Sequence, residues 1–179
     1  MTETVTLCNG TWLRLQRRGR WEYAERTNPG GGVMIIAVTP GDKLLFVEQY
    51  RPALECMTIE MPAGLVGDIP ESAAESAIEA AHRELIEETG YAAGRIDFIM
   101  AGPTSAGMSN EILAFVHAHD LHRVEEGGGD ATENIIVHEV DCAQAAQWLV
   151  RKMVDGFSVD PKIFAGLYFL EHDKLMRGI

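Results

Sequence analysis

An α+β fold, with a mixed sheet packed between helices, is what this chain predicts. Three observations carry the prediction: apolar runs of strand length bounded by Gly, Pro and Asp, one strongly periodic helix with both caps written into it, and two helical segments that close the chain. A length of 179 residues with 46% hydrophobic content suits one globular domain with a sizeable core and leaves too little chain for two.

Residues 1–28 read as an N-terminal β arm and 29–179 as the main domain. In the arm, β-like runs Thr11 to Gln16 and Trp21 to Arg26 flank a basic turn at Arg17, Arg18, Gly19 and Arg20, which predicts a hairpin. Pro29 to Gly32 breaks the chain. Val33 to Thr39 and Lys43 to Gln49 then predict a second, more apolar hairpin around Pro40, Gly41 and Asp42. From Ser76 to Thr89 the period turns helical, with Ile78, Ala81 and Leu85 on one face, Ser76 and Glu79 spaced as a capping box, and Gly90 suited to end the helix. Asp97 to Ala101, Ile112 to His119 and Ile135 to Val140 predict strands. Helices are expected from Ala143 to Val154 and after Asp160 and Pro161. The sequence holds no internal repeat, and Gly127 to Gly129 is its one low-complexity tract.

Lys and Arg total 15 against 27 Asp and Glu, a formal charge of −12 that repels nucleic acid and anionic lipid. An acidic protein acting on phosphates therefore needs divalent cations to reverse the local sign. Cys8, Cys56 and Cys142 are far apart and form no CxxC pair, as expected of free thiols in a reducing compartment. With no leader-like N-terminus and no apolar run near the roughly 20 residues of a membrane span, a cytoplasmic location is expected.

The run Arg83, Glu84, Leu85, Ile86, Glu87, Glu88, Thr89, Gly90, Tyr91 crowds three glutamates into the last turns of the helix. Arg83 and Glu87, four residues apart, can neutralise each other as a structural ion pair, whereas Glu84 and Glu88 share a face and repel. Carboxylates near a helix C-terminus also oppose its dipole. A hard cation such as Mg²⁺ or Mn²⁺ satisfies that arrangement, and a solvated acidic helix face is the alternative.

Glu75, seven intervening residues and then Arg83 to Tyr91 resemble most of the Nudix box, G-x5-E-x7-R-E-U-x-E-E-x-G-U with U a bulky apolar residue. The opening glycine departs: its position holds Ile69, and its counterpart is Gly64, displaced by a five-residue insertion between Leu65 and Ala74. Val47 to Pro52 and Glu60 to Gly64 are similar to the segment before the box in ADP-ribose pyrophosphatases and related nucleoside diphosphate sugar hydrolases. The resemblance implies a Nudix α/β/α sandwich. It implies metal ligands at Glu84, Glu88 and the Ala63 carbonyl, and substrate contacts at Arg51 and Glu60. It also implies a homodimer in which residues 1–28 touch the partner. Glu133, in a segment similar to the one that delivers the catalytic glutamate in this group, is the expected general base, with Glu125, Glu126 and Asp130 as competitors.

The implied reaction is metal-dependent cleavage of a nucleoside diphosphate sugar, ADP-ribose or a relative, to a nucleoside monophosphate and a sugar phosphate. A dinucleoside polyphosphate or nucleoside triphosphate hydrolase and a noncatalytic nucleotide-sugar sensor remain alternatives. Ser105, Ala106, Gly107 replaces the Ser-Pro-Gly turn of the ADP-ribose group, which makes another nucleotide sugar comparably plausible. Secondary candidates have plainer readings: His117, His119 and His122 as a polar strand end, Trp12, Trp21 and Tyr23 as packing, and Arg17 to Arg20 as a solvated turn.

Overall fold

The computed structural model describes residues 3–28, 30–68, 74–129 and 134–172. The arm is a three-stranded antiparallel sheet of β1 (Thr4–Asn9), β2 (Leu13–Arg18) and β3 (Trp21–Arg26). Strands β2 and β3 are the hairpin expected at the basic turn, with Gly19 at φ 62°. Strand β1 escaped the sequence reading because all six of its residues are exposed, so burial imprinted no alternation on it. The arm is stitched to the main domain where Ala24 N–H donates to the Met108 carbonyl at 2.8 Å and Asn110 donates to Glu25 at 2.7 Å.

The expected second hairpin is not formed. β4 (Gly32–Ala37) and β5 (Lys43–Arg51) follow each other in sequence, but the ladder between them stops at the isolated bridge Val38–Leu44 and the strands enter different sheets. β4 and the Leu44 to Val47 stretch of β5 are apolar and buried on both faces, so each needs neighbours on two sides and packing above and below. In one sheet β4 lies between β7 (Ala63–Leu65) and β10 (Ile112–His119), with β9 (Arg95–Pro103) outside β10; β4 and β10 run parallel. In the other, β5 lies between β12 (Ile136–Asp141) and β6 (Cys56–Glu60), and β13 (Ser158–Val159) runs parallel to β6. The single mixed sheet expected from sequence is thus two mixed sheets. β8 (Tyr91–Ala92) and β11 (His122–Arg123) make a further short pair.

Strand parity divides the core. Val33, Ile35 and Ala37 join Ala80, Ala81 and Leu85 of helix α1 (Ala77–Thr89), while Met34 and Ile36 face the opposite cluster with Leu149 of α2 (Ala145–Val154) and Ile163 of α3 (Lys162–Glu171). Helices therefore cover both faces. α1 starts on the expected capping box, Ser76 accepting from Glu79 N–H and Glu79 accepting from Ser76 N–H, and ends on Gly90 at φ 75°. α2 follows a single 3-10 turn at Cys142–Gln144.

Candidate active site

A cleft of about 630 Å³ opens where β7, the C-terminal end of β5 and α1 converge, and its lining includes Arg26, Arg51, Ala63, Glu84, Glu88 and Lys162. Helical spacing puts Glu84 and Glu88 on its wall, where they are only 8% and 3% exposed. Glu88 Oε2 accepts the Ala63 backbone N–H at 2.9 Å, which ties the helix to β7. Burial pushes the Glu84 carboxyl up to about 7, against the pull of Arg83 and with further upward push from Glu87 and Asp68.

Gly64 has a steric reason to be glycine. A Cβ there would lie 1.8 Å from Glu84 Cδ and 2.0 Å from Oε1, so the Glu84 carboxylate occupies the space a side chain would take. Two buried carboxylates one turn apart, further acids beside them and a close backbone strand form a hard, oxygen-rich donor set, which fits a divalent cation. Among the described residues no group of three His, Cys, Asp or Glu side chains makes a complete cage. A cation here would draw on Glu84, Glu88, a backbone oxygen such as that of Ala63, and the substrate.

Arg83 does more than pair with Glu87. Its Nη1 reaches Glu87 at 3.2 Å and Glu84 at 2.9 Å, and its Nη2 reaches Asp68 at 2.9 Å, Glu75 at 2.9 Å and the Leu65 carbonyl at 3.0 Å. Burial would lower the pKa of this guanidinium, but the surrounding carboxylates raise it, so it stays charged. Glu75 in turn is held below the ordinary carboxylate range, first by Arg83 and also by the Gly67 N–H. The arginine thus gathers both ends of the connection from β7 to α1 around Glu84. The insertion inferred from sequence falls mainly on residues 69–73, outside the described residues.

Arg51 lines the cleft and Glu60 stands behind it. Arg51 Nε and Nη2 each donate to a Glu60 oxygen at 2.7 Å, and Thr58 Oγ1 donates to Glu60 Oε1 at 2.6 Å. With both oxygens engaged and its side chain 12% exposed, Glu60 orients Arg51. Glu133 and Asp130 lie outside the described residues.

Sequence reasoning missed Arg26 and Lys162. Arg26, at the end of β3, pairs with Glu111 across the cleft rim. Lys162 enters because β13 runs parallel to β6, with Asp160 N–H donating to the Ile59 carbonyl at 3.0 Å, which carries the start of α3 to the cleft. Nothing local signals either residue, since a lysine after Asp-Pro is an ordinary helix start. The Ser105 to Gly107 turn closes without proline: the Ser105 carbonyl accepts from Met108 N–H at 2.9 Å and Ser109 N–H at 3.0 Å. The His117 and His119 rings lie 4.0 Å apart on one face of β10, and His119 Nε2 is 3.2 Å from Asp97, while His122 stands on β11.

The NUDIX domain model matches residues 15–154. The ADP-ribose pyrophosphatase of Bacillus subtilis is 40% identical over 164 residues, spanning 89% of this chain and 82% of that protein. The GDP-mannose pyrophosphatase of Klebsiella pneumoniae is 30% identical over 187 residues, spanning 99% and 86%. The methanol dehydrogenase activator of Bacillus methanolicus is 30% identical over 184 residues, spanning 98% and 94%. A crystal structure of an ADP compounds hydrolase shares the fold, with a TM-score of 0.72 at 20% identity over 98% of this chain and 92% of that one. On the domain match and on relatives that align nearly end to end, this chain belongs to the Nudix hydrolase family.

Proposed function

We propose that this chain hydrolyses the diphosphate bond of a nucleoside diphosphate sugar, ADP-ribose or a relative, to a nucleoside monophosphate and a sugar phosphate, with Mg²⁺ or Mn²⁺. The observation that carries the reading is the polarity of the cleft. Glu84 and Glu88 form an acidic wall, Arg26, Arg51 and Lys162 bring cationic groups to the same space, and about 630 Å³ suits a nucleotide sugar. The names of the B. subtilis and K. pneumoniae relatives support the same substrate class.

Glu84 and Glu88 would hold the cation, which would supply charge neutralisation at the diphosphate and activation of water. Arg51, braced by Glu60, binds and orients the substrate through its guanidinium. Glu133 takes the proton from the water as it attacks phosphorus. Arg83 and Glu87 stay structural, and Arg83 keeps Glu84 aimed into the cleft. Retention of all four of Arg83, Glu84, Glu87 and Glu88 weighs against a sensor that only binds.

The chain acts as a homodimer with its arm on the partner. The support is an arm that leaves Trp12 77% and Trp21 60% exposed, beside exposed Val5, Leu7, Leu13 and Leu15. We assign it to the cytoplasm, on its free cysteines, with neither nucleic acid nor membrane as partner, on its charge of −12. No helix among the described residues is long and apolar enough to cross a membrane.

The deciding experiment is a turnover panel of ADP-ribose, GDP-mannose, other nucleotide sugars, dinucleoside polyphosphates and nucleoside triphosphates with Mg²⁺, with both products identified. A nucleoside monophosphate plus a sugar phosphate is expected. Preference for a polyphosphate, or tight binding without turnover, overturns the reading.

A further inference from the structure

The arm and the main domain meet at a joint that extends to the cleft. Ala24, Glu25 and Arg26, successive residues of β3, each hold the connection between β9 and β10. Ala24 N–H donates to the Met108 carbonyl at 2.8 Å, Glu25 Oε1 accepts from Asn110 Nδ2 at 2.7 Å, and Arg26 Nε donates to Glu111 Oε1. Ala24 also forms a parallel bridge with Ser109, so the connection runs alongside β3 in register. All of these bonds lie within one chain.

Glu25 is the centre of the joint. Its Oε2 accepts from Arg14 Nε at 2.6 Å and from Gln16 Nε2 at 2.9 Å, both on β2, while its Oε1 turns to Asn110. Gln16 is buried, and its own Oε1 accepts from Thr6 Oγ1 at 3.0 Å. Hydrogen bonds thus run unbroken from β1 through β2 and β3 to the connection. Burial alone would push the Glu25 carboxyl up, but the bonds from Gln16, Asn110 and Arg14 hold it below the ordinary carboxylate range. It is an anion whose two oxygens are each engaged by a donor, which fixes its direction as well as its charge.

The next rung faces the cleft. Arg26, Thr104 and Glu111 belong to the cleft lining, and Thr104 N–H donates to the Glu111 carbonyl at 3.2 Å, which closes the base of the connection. A second cavity of about 130 Å³ borders the joint. Arg26 and Glu111 line both spaces, whereas Glu25 and Asn110 line only the smaller one. The Arg26–Glu111 pair is therefore a partition, and the Glu25–Asn110 pair braces it one residue away on each side. None of these bonds touches α1 or β7, which carry Glu84, Glu88 and Ala63.

We propose that Glu25 is a positioning residue: through its bond to Asn110 it sets where Arg26 and Glu111 stand, so that the arm shapes a wall of the cleft in its own chain. The proposal rests on the hydrolase reading above. A wall held in place acts on the bound substrate and on the transition state alike, and its loss raises KM while leaving kcat. Because the joint is separate from the carboxylates of α1, cation affinity is independent of it.

The test uses the full chain with Glu25→Ala, Asn110→Ala, the two combined, and Arg14→Ala, which removes a partner of Glu25 inside the arm and leaves the bond to Asn110. For each, kcat and KM are measured with Mg²⁺ on ADP-ribose, or on GDP-mannose if the wild type hydrolyses that instead. Mn²⁺ affinity is measured without substrate by electron paramagnetic resonance, and a thermal melt is recorded. Glu25→Ala and Asn110→Ala are each expected to raise KM about 10-fold, the size of one lost hydrogen bond to a charged group, with kcat and Mn²⁺ affinity within about threefold of wild type. The double variant should be no worse than the more affected single one, because both substitutions break the same bond. Arg14→Ala should lower the melting temperature and keep KM within about twofold. If Glu25→Ala does not fold, Asn110→Ala and Arg14→Ala decide. The joint is refuted if Asn110→Ala keeps KM within twofold, if the two effects multiply in the double variant, or if Arg14→Ala raises KM as much, which marks a general loosening of the arm. A wild type inactive on every nucleotide sugar overturns the hydrolase reading and this proposal with it, whereas an active wild type with unaffected variants overturns the joint alone.

Discussion

Replacing Gly64 by alanine isolates the position of one carboxylate from the rest of the fold. Gly64 pairs with Val33 in β7 and its backbone needs no positive φ, so alanine suits the strand itself. The new Cβ would stand 1.8 Å from Glu84 Cδ, 2.0 Å from Oε1 and 2.3 Å from Cγ, whereas real Cβ contacts essentially never fall below 3.0 Å. The Glu84 carboxylate must retreat by at least about 1.2 Å, the difference between 3.0 and 1.8 Å. The obstructing atoms are the end of a flexible side chain, so rotation of Glu84 relieves the clash without moving backbone, and the melting temperature should change by no more than a few degrees. A displacement of about 1 Å in a reacting constellation costs on the order of 10² in rate, equivalent to roughly 2.7 kcal/mol. Gly64→Ala is therefore expected to lower kcat/KM about 100-fold and to weaken Mn²⁺ binding, with a cooperative melt close to wild type. If kcat/KM stays within about threefold while the protein remains folded, Glu84 is not needed where the structure holds it, and its role as a cation ligand is wrong.

Other expectations follow from the same geometry. Glu84→Gln and Glu88→Gln should each abolish most turnover and most Mn²⁺ affinity while leaving a folded protein, and near-normal activity at ordinary Mg²⁺ concentration would refute the ligand assignment. Glu133→Gln should lower kcat by about 10² to 10⁴ with little change in substrate binding, and if it keeps kcat while Glu126→Gln or Asp130→Asn loses it, the base is the other acid. For Glu60, burial alone would push its carboxyl up, but the hydrogen bonds from Arg51 and Thr58 and the charges of Arg51 and Lys162 hold it below the ordinary carboxylate range. A depressed folded pKa contributes stability that is present above the unfolded value of roughly 4.3 and lost as pH falls through the folded value. Arg51→Ala should therefore cost on the order of 1 kcal/mol near neutral pH, since Arg51 is partly exposed and the pair is screened, and its melting temperature should converge on that of the wild type as pH falls through the depressed folded pKa of Glu60; a gap independent of pH would show that the ion pair does not set the difference. Light scattering of the full chain at micromolar concentration should give a dimer, and a clean monomer would exclude the role given to the arm.

What the sequence determined by itself is local. Helix α1 was legible to its caps because Ser76, Glu79 and Gly90 act through backbone groups within a turn of themselves, and i to i+4 spacing alone puts Glu84 beside Glu88. β10 was legible because Ile112 to Val116 is an unbroken apolar run, and Leu113 to Ala118 are buried on both faces. Family membership followed from the same short range, since the signature lies on one helix and the strand before it. Partner choice between strands was not legible: Lys43 to Gln49 reads as a partner for Val33 to Thr39, yet β5 bonds β6 and β12, because pairing is a contest among distant segments that no local pattern records. The short strands β7, β8, β11 and β13 owe their existence to neighbours brought from elsewhere. The cleft divides along the same line. Its acidic wall is one helix and could be read directly, whereas Lys162, Arg26, the brace of Glu60 behind Arg51 and the close fit of Gly64 against Glu84 arise only when strands far apart in sequence are laid side by side. Contacts across 20 or 100 residues depend on register and layer packing, and those are decided by burial of the whole core at once.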